Sequence, residues 1–298
     1  MDMMSDDVLL EELKRRFLDN KKALYDLAKM NEKIEKLNVK LAESERLKSD
    51  FLSNIRNEIN NPLTSILGLS REIASTKKDE QTKQLMAQSI YDEAFELDFQ
   101  LRNIFIAAEL EAGETQLNIS RVNVAAFIKN LVNAFSRKAL KKNLTVAVAC
   151  CGAQPEDQGL LFNTDAERLH RVLANLLANA IEYNNEGKTV HIEARKENGV
   201  LRVSIADEGI GVPKQERERL FDRFHQLDRG STKKHRGHGL GLSTTKALVE
   251  MLGGKITVAD ADGGGCVFHV AVPESSGGGD SVLSEDGNEF LFENEKRL

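Results

Sequence analysis

Three short segments carry residue types and spacings with chemistry to perform. Asp207-Glu208-Gly209-Ile210-Gly211 follows Leu201, Val203 and Ile205, an alternating run that predicts a strand. A carboxylate at a strand end can accept a hydrogen bond from an exocyclic amine, and the two glycines let the backbone turn tightly beneath a ring. His235-Arg236-Gly237-His238-Gly239-Leu240-Gly241 opens a predicted helix. Glycines there allow the backbone to approach phosphates, and amides at a helix start favour anions. Arg229, Lys233, Lys234 and Arg236 add positive charge with no acidic residue between 229 and 238, which suits a nucleotide triphosphate. Asn175 and Asn179 stand one turn apart on a third segment, where two carboxamide oxygens can hold a hydrated Mg²⁺. Taken singly, each has a plainer reading: a turn, a surface loop and a pair of solvated asparagines.

The elements that must position these segments follow from periodicity. Residues 8 to about 50 read as one helix, with Leu10, Leu13, Phe17, Leu24, Leu27, Ile34 and Leu41 at heptad-like steps and Asn20, Asn31 and Asn38 filling the seam. That pattern predicts a parallel coiled-coil dimer. A second helix follows without a clear break and carries Pro62, a kink site. After a turn at 75–79, a third helix places Ile90, Leu97, Leu101 and Ile104 on one face and ends near Gly113. Two such striped helices cannot bury themselves alone, and a dimeric four-helix bundle resolves this. From about 114 the period changes. Strand-like runs at 115–121, 144–150, 189–196, 200–206, 255–260 and 266–272 alternate with helical runs at 124–141, 165–182 and 240–252. This order predicts an α/β sandwich. The 165–182 helix has its core face at Leu169, Val172, Leu173, Leu176, Leu177 and Ala180, and a capping box over Thr164–Glu167. The expected organisation is 1–50 coiled coil, 51–113 hairpin, 114–274 α/β domain and 275–298 an acidic tail or linker.

Composition narrows the function classes. The 298 residues carry 41 basic and 47 acidic side chains, a net −6, which argues against a general nucleic-acid binder. No apolar run reaches the ~18 residues of a membrane span, and no signal peptide is expected at the start. Cys150, Cys151 and Cys266 form no paired framework, so a cytoplasmic setting is expected.

The order of the segments is more specific than any one of them. Asn-x-x-x-Asn at 175–179, Asp-x-Gly-x-Gly at 207–211, Phe221-Asp222-Arg223-Phe224 and Gly-x-Gly-x-Gly at 237–241 closely resemble the nucleotide-binding boxes of sensor histidine kinases. That ATP domain is shared with the gyrase, Hsp90 and MutL group. Upstream, the stretch from Phe51 to Thr64 resembles the family's phosphoacceptor box, and Leu110-Glu111-Ala112-Gly113 resembles the end of its helical hairpin. The resemblance covers about 47–273. It implies ATP and Mg²⁺ as cofactors, with Asn179 on the metal and Asp207 reading the adenine amino group. It also implies that Gly209, Gly211, Gly237, Gly239 and Gly241 shape the phosphate site and lid, and that Phe221 and Phe224 anchor the lid. Asn175, Lys233 and Lys234 complete the expected cofactor set. A homodimer and a response-regulator receiver domain are the implied partners.

The sequence departs from the family where chemistry is most exacting. Asn57 occupies the acceptor histidine's position, and all six histidines lie at 170 or beyond. A carboxamide nitrogen is conjugated with its carbonyl and is a very poor nucleophile, so autophosphorylation there is not expected. The exchange is open to two origins, a natural pseudokinase or an introduced His→Asn change. Glu182 stands where many members carry lysine, and it should weaken attraction for ATP unless it points away. Glu58 and Asn61 are retained; the resemblance assigns the first to proton transfer and the second to orienting water in regulator dephosphorylation. Three readings therefore compete: a histidine kinase silent at Asn57, an ATP-binding scaffold that regulates another kinase, and a regulator phosphatase using Glu58 and Asn61. A gyrase-type ATPase is disfavoured, because Asn175 stands where that group uses a glutamate base.

Overall fold

The computed structural model describes residues 6–75, 78–113, 116–150, 160–223 and 239–276. They belong to two compact units, Met1–Glu58 and Ile59–Leu298. Helix α1 (Asp6–Ser75) is continuous, and Pro62 sits inside it without ending it. In the first unit Leu10, Phe17, Leu24, Leu27, Ile34 and Leu41 are all exposed in the single chain.

In the second unit, helix α2 (Glu80–Ala112) starts and stops where the sequence signals it. The Asp79 side chain accepts hydrogen bonds from the Thr82 amide and hydroxyl, both at 2.8 Å, and these hold its carboxyl below the usual range. Gly113 closes α2 at φ 78°, in the left-handed region, with its amide turned back to the carbonyls of Glu109 and Leu110.

Beyond α2 the chain builds a mixed sheet under three helices. In chain order these are β1 (Ile119–Asn123), α3 (Val124–Lys141), β2 (Thr145–Cys150), β3 (Leu161–Asp165), α4 (Ala166–Tyr183), β4 (Thr189–Glu197), β5 (Val200–Ala206), α5 (Gly241–Met251), β6 (Lys255–Asp260) and β7 (Cys266–Pro273). The main sheet runs β2-β4-β5-β7-β6, with β2 and β4 parallel and the other pairs antiparallel. Burial alternates along β4, β5 and β7, so one face carries Ile192, Val203, Ile205 and Phe268 into the core while the other is turned outward. The core face read for the 165–182 helix is fully inside: Leu169, Val172, Leu173, Leu176, Leu177 and Ala180 are all buried.

Two local expectations are corrected. The first strand falls at 119–123 rather than 115–121, because it pairs with β3, which the sequence did not reveal. That strand reads Leu-Phe-Asn-Thr-Asp, too polar and too short for a period-2 signal. Thr164 is a strand residue paired with Ser120, and the cap of α4 is the last residue of that strand, one position later than expected. Asp165 is the cap; its carboxylate accepts from the Arg168 amide at 3.0 Å and from the Asn118 amide at 2.8 Å.

Helix α2 is docked on α3. Phe95 and Phe99 meet Phe135 edge to face, with centroids 5.7 and 5.8 Å apart. Around them Asp92 lies 2.8 Å from Lys141, Glu96 lies 3.0 Å from Lys138, and the Arg137 guanidinium stacks over Tyr91. Phe135 is 3% exposed and joins α2 to the domain core, so its loss leaves a cavity shared by both. Phe135→Ala in the full chain should lose about 3–5 kcal/mol of stability, read by urea unfolding. A loss below about 1 kcal/mol would show that the aromatic cluster is peripheral.

Candidate functional site

Asp207 is the centre of the candidate site. It follows β5, is 4% exposed, and shares a two-way exchange with the first residue of β7. Its amide donates to the Cys266 carbonyl at 2.9 Å, and its Oδ1 accepts from the amides of Gly209 (2.9 Å) and Cys266 (3.3 Å). The Cys266 thiol lies 3.0 Å from Oδ2. Burial first, and the neighbouring carboxylate second, push that thiol well above its ordinary range, so it is protonated and donates.

The glycines are required by crowding. A side chain at Gly209 would place its Cβ 2.0 Å from the Tyr183 carbonyl oxygen, and one at Gly265 would sit 2.1 Å from the Asp207 carbonyl oxygen. Gly211 adopts φ 69° and faces the Gly265 carbonyl. Thus the end of α4, the turn after β5 and the β6–β7 hairpin converge within contact distance.

Supporting residues fix the end of α4. Lys142 donates to the carbonyls of Ile181 and Glu182, a cation on the last turn of the helix. Asn184 Oδ1 accepts from the amides of Asn185 (2.9 Å) and Glu208 (3.1 Å). Glu208 turns away from Asp207 and accepts from the Thr189 amide at 3.1 Å and from Lys188 at 3.2 Å. Those bonds, the amide first, hold its carboxyl below the usual range. The Glu182 carboxylate lies 4.0 Å from Lys138 on α3.

The remaining predicted residues separate into groups. Asn175 is buried, and its Nδ2 donates to the Gly241 carbonyl (3.4 Å) and to Thr245 Oγ1 (3.3 Å), tying α4 to the first turn of α5. Asn179, one turn on, is half-buried. Phe221 packs edge to face on Phe268 at 6.5 Å, with Lys246 Nζ 5.9 Å from its ring centroid. Gly239 takes φ 68°, and Gly241 opens α5 with no other described residue within 4 Å of where a Cβ would stand. Phe224, Lys233, Lys234 and Gly237 lie outside the described residues. Asn57 and Glu58 fall within α1 but their side chains are outside the described set; Asn61 is exposed. Sequence reasoning missed Gly265 and Cys266. The signal was present as three consecutive glycines, 263–265, immediately before β7.

Comparison with known proteins agrees with this geometry. Residues 164–276 match the family described as histidine kinase-, DNA gyrase B- and HSP90-like ATPase, and residues 47–113 match the His Kinase A (phospho-acceptor) domain. The chain belongs to the sensor histidine kinase family. It is 33% identical over 235 residues to the sensor protein DivL of Caulobacter vibrioides, covering 79% of this chain and 29% of that one. It is 29% identical to the circadian input-output histidine kinase CikA of Synechococcus elongatus, over 77% of this chain and 30% of that one. This chain therefore spans less than a third of the length of either relative. Among solved structures, full-length ShkA in complex with AMPPNP aligns over 79% of this chain and 47% of its own, with 25% identity and a TM-score of 0.54. No helix among the described residues is long and apolar enough to cross a membrane.

The crowding at Gly209 gives a direct check. Gly209→Ala must displace the Tyr183 carbonyl or open the turn, because the contact is with backbone rather than a yielding side chain. The variant should lose at least about 1–3 kcal/mol in thermal or urea unfolding, far more than Gly68→Ala, where a Cβ meets nothing within 4 Å and φ is ordinary. Equal behaviour of the two variants would mean that the turn has freedom the packing denies it.

Proposed function

We propose that residues 114–274 of this kinase-family chain bind ATP with Mg²⁺, and that residues 51–113 form a dimeric hairpin whose acceptor position, Asn57, takes no phosphoryl group. The observation that carries the nucleotide reading is the Asp207 carboxylate. It is buried at a strand end, its Oδ1 is bonded to two amides, and it is surrounded by backbone so close that only glycine fits at 209 and 265. A buried carboxylate fixed in this way presents an acceptor for an exocyclic amine such as that of adenine. The first turn of α5, held by Asn175, supplies amides that suit phosphate. Asn179 is the proposed protein ligand to Mg²⁺. No cluster of three or more His, Cys, Asp or Glu side chains that could hold a metal exists among the described residues, so the ion would rely mainly on nucleotide phosphates and water. Glu182, drawn toward Lys138, leaves Lys233 and Lys234 as the proposed cations near the phosphates.

On this reading the seam of 8–50 and the hairpin stripes are covered by a second copy. The chain works in the cytoplasm, and its protein partner is a response-regulator receiver domain rather than nucleic acid. The test has two parts. Calorimetry with Mg·ADP should show binding to the parent chain and at least a tenfold loss in Asp207→Asn, whose amide offers a donor toward the amine. Labelled ATP should leave the parent unlabelled, and Asn57→His should acquire acid-labile label. Unchanged affinity in Asp207→Asn refutes the adenine assignment; label on the parent refutes the assignment of Asn57 as a dead end.

A second reading is favoured by the exposure of Asn61, whose carboxamide can orient a water against a docked aspartyl phosphate. With ADP present, the parent should accelerate phosphate release from a phosphorylated cognate regulator, and Asn61→Ala should abolish that acceleration. No acceleration by the parent would leave a scaffold as the role of the hairpin.

A further inference from the structure

We propose that the outward face of the main sheet is a docking site for the chain's own acidic segment, residues 280–295. This stands apart from the nucleotide reading, because the face lies on the side of the sheet turned away from the core. Alternation puts Arg195 of β4, Arg202 of β5, Ala271 of β7 and Lys255 of β6 on it. Register sets the four in one row: Arg195 pairs with Arg202, Arg202 with Ala271, and Ala271 with Lys255. Ser204, His269 and Thr257 form the next row, again as paired neighbours. The small side chains of Ser204 and Ala271 among longer ones leave an open trough of about 450 Å³, in whose lining three cations stand against the one carboxylate of Glu193.

The charge on the row is unbalanced. Arg195 and Arg202 are directly opposite each other, a like-charge pair that is unfavourable in a sheet. They share Glu197 at 3.0 and 3.3 Å, but all three side chains are about half exposed, so these bonds are weak and yield to a competing carboxylate. Lys255, on the other side of Ala271, makes no ion pair with another described residue. The occupant follows from charge, length and spacing. Asp280, Glu285, Asp286, Glu289, Glu293 and Glu295 occur over 280–295 with no basic residue among them, and three glycines, 277–279, precede them. The chain leaves β7 at Pro273, two residues beyond Ala271. Residues 277–288 can span up to about 40 Å before Glu289, more than the width of the row. With strands about 4.8 Å apart, Lys255 stands roughly 10 Å from Arg202 and roughly 14 Å from Arg195. An extended Glu289-Phe290-Leu291-Phe292-Glu293 carries its two carboxylates about 13 Å apart on one side, with Leu291 between them. Laid across the strands, it sets one carboxylate at the arginine pair, the other at Lys255, and the leucine over Ala271.

Carbodiimide cross-linking of the full chain, mapped by mass spectrometry, tests the proposal, because the reagent joins a carboxylate only to an amine in contact with it. Lys196 and Glu274, 2.7 Å apart, are the internal control for the reaction. The expected product joins Lys255 to Glu289 or Glu293, at about ten times the yield of links from the same segment to exposed Lys129 or Lys214. It should vanish in the double variant Glu289→Gln with Glu293→Gln, and in about 1 M salt, where the screening length is about 3 Å. A mixture of isotope-labelled and unlabelled chains identifies the source. Links within one chain support the proposal; links between labelled and unlabelled chains overturn it in favour of a neighbouring copy's segment. Lys255 left unlinked while Lys196 and Glu274 are joined overturns it outright. Equal yields at Lys255, Lys129 and Lys214 also overturn it, because they describe an acidic segment with no seat on the sheet.

Discussion

A carboxylate removed from water must have its lone pairs met, and the burial of Asp207 imposes that demand on everything around it. Backbone amides from Gly209 and Cys266 meet it at Oδ1 and the thiol meets it at Oδ2. Bringing two amides from distant parts of the chain to one oxygen requires β5 and β7 to be neighbours in register, which their antiparallel pairing from Val200↔Pro273 to Ala206↔Val267 provides. It also requires that no side chain stand between the strand ends. Gly265 satisfies this on the hairpin side and Gly209 on the side of α4, where the Tyr183 carbonyl closes in. The glycines and the acid are therefore one device.

The end of α4 is held from the opposite direction by charge. Lys142 caps its last carbonyls, and Lys138 stands between Glu182 of α4 and Glu96 of α2. Lys138 sits on α3 beside Phe135, the ring that Phe95 and Phe99 of α2 pack against. A half-buried cation shared by two carboxylates is sensitive to the removal of either, because the remaining pair is screened less than an exposed one. The contact by which α2 docks is thus physically continuous with the turn that carries Gly209.

Much of this was legible in the sequence where one periodicity acts over many residues. The helix at 124–141 and the strand at 200–206 are found at those limits, and α4 within one residue, because apolar spacing and caps agree there. β3 was hidden because its formation depends on a partner forty residues away in β1 rather than on its own pattern. The displaced cap of α4 follows from where that strand ends: Asp165 is the last residue of β3, and its side chain accepts from the Arg168 amide of the first helical turn. At the site, Asp207 and its glycines stood out because carboxylate and glycine types are constrained by chemistry. Cys266 did not, because a single thiol in a strand pattern reads as a small apolar residue, and its role arises only from register across the sheet.

The same division between local and distant constraints bears on Asn57. Among the described residues, the interactions that fix Asp207 are made by residues from 183 onward, within the α/β domain. On the proposed reading, holding a nucleotide and accepting a phosphoryl group are therefore separable tasks, carried by parts of the chain whose folding requirements differ. On that reading the acceptor position needs a nucleophile, which a carboxamide does not supply. The nucleotide position needs a buried carboxylate, two glycines without room for a methyl group, and a strand register, and an exchange there disturbs the core. On the same reading, a change at 207 disturbs the fold as well as the site.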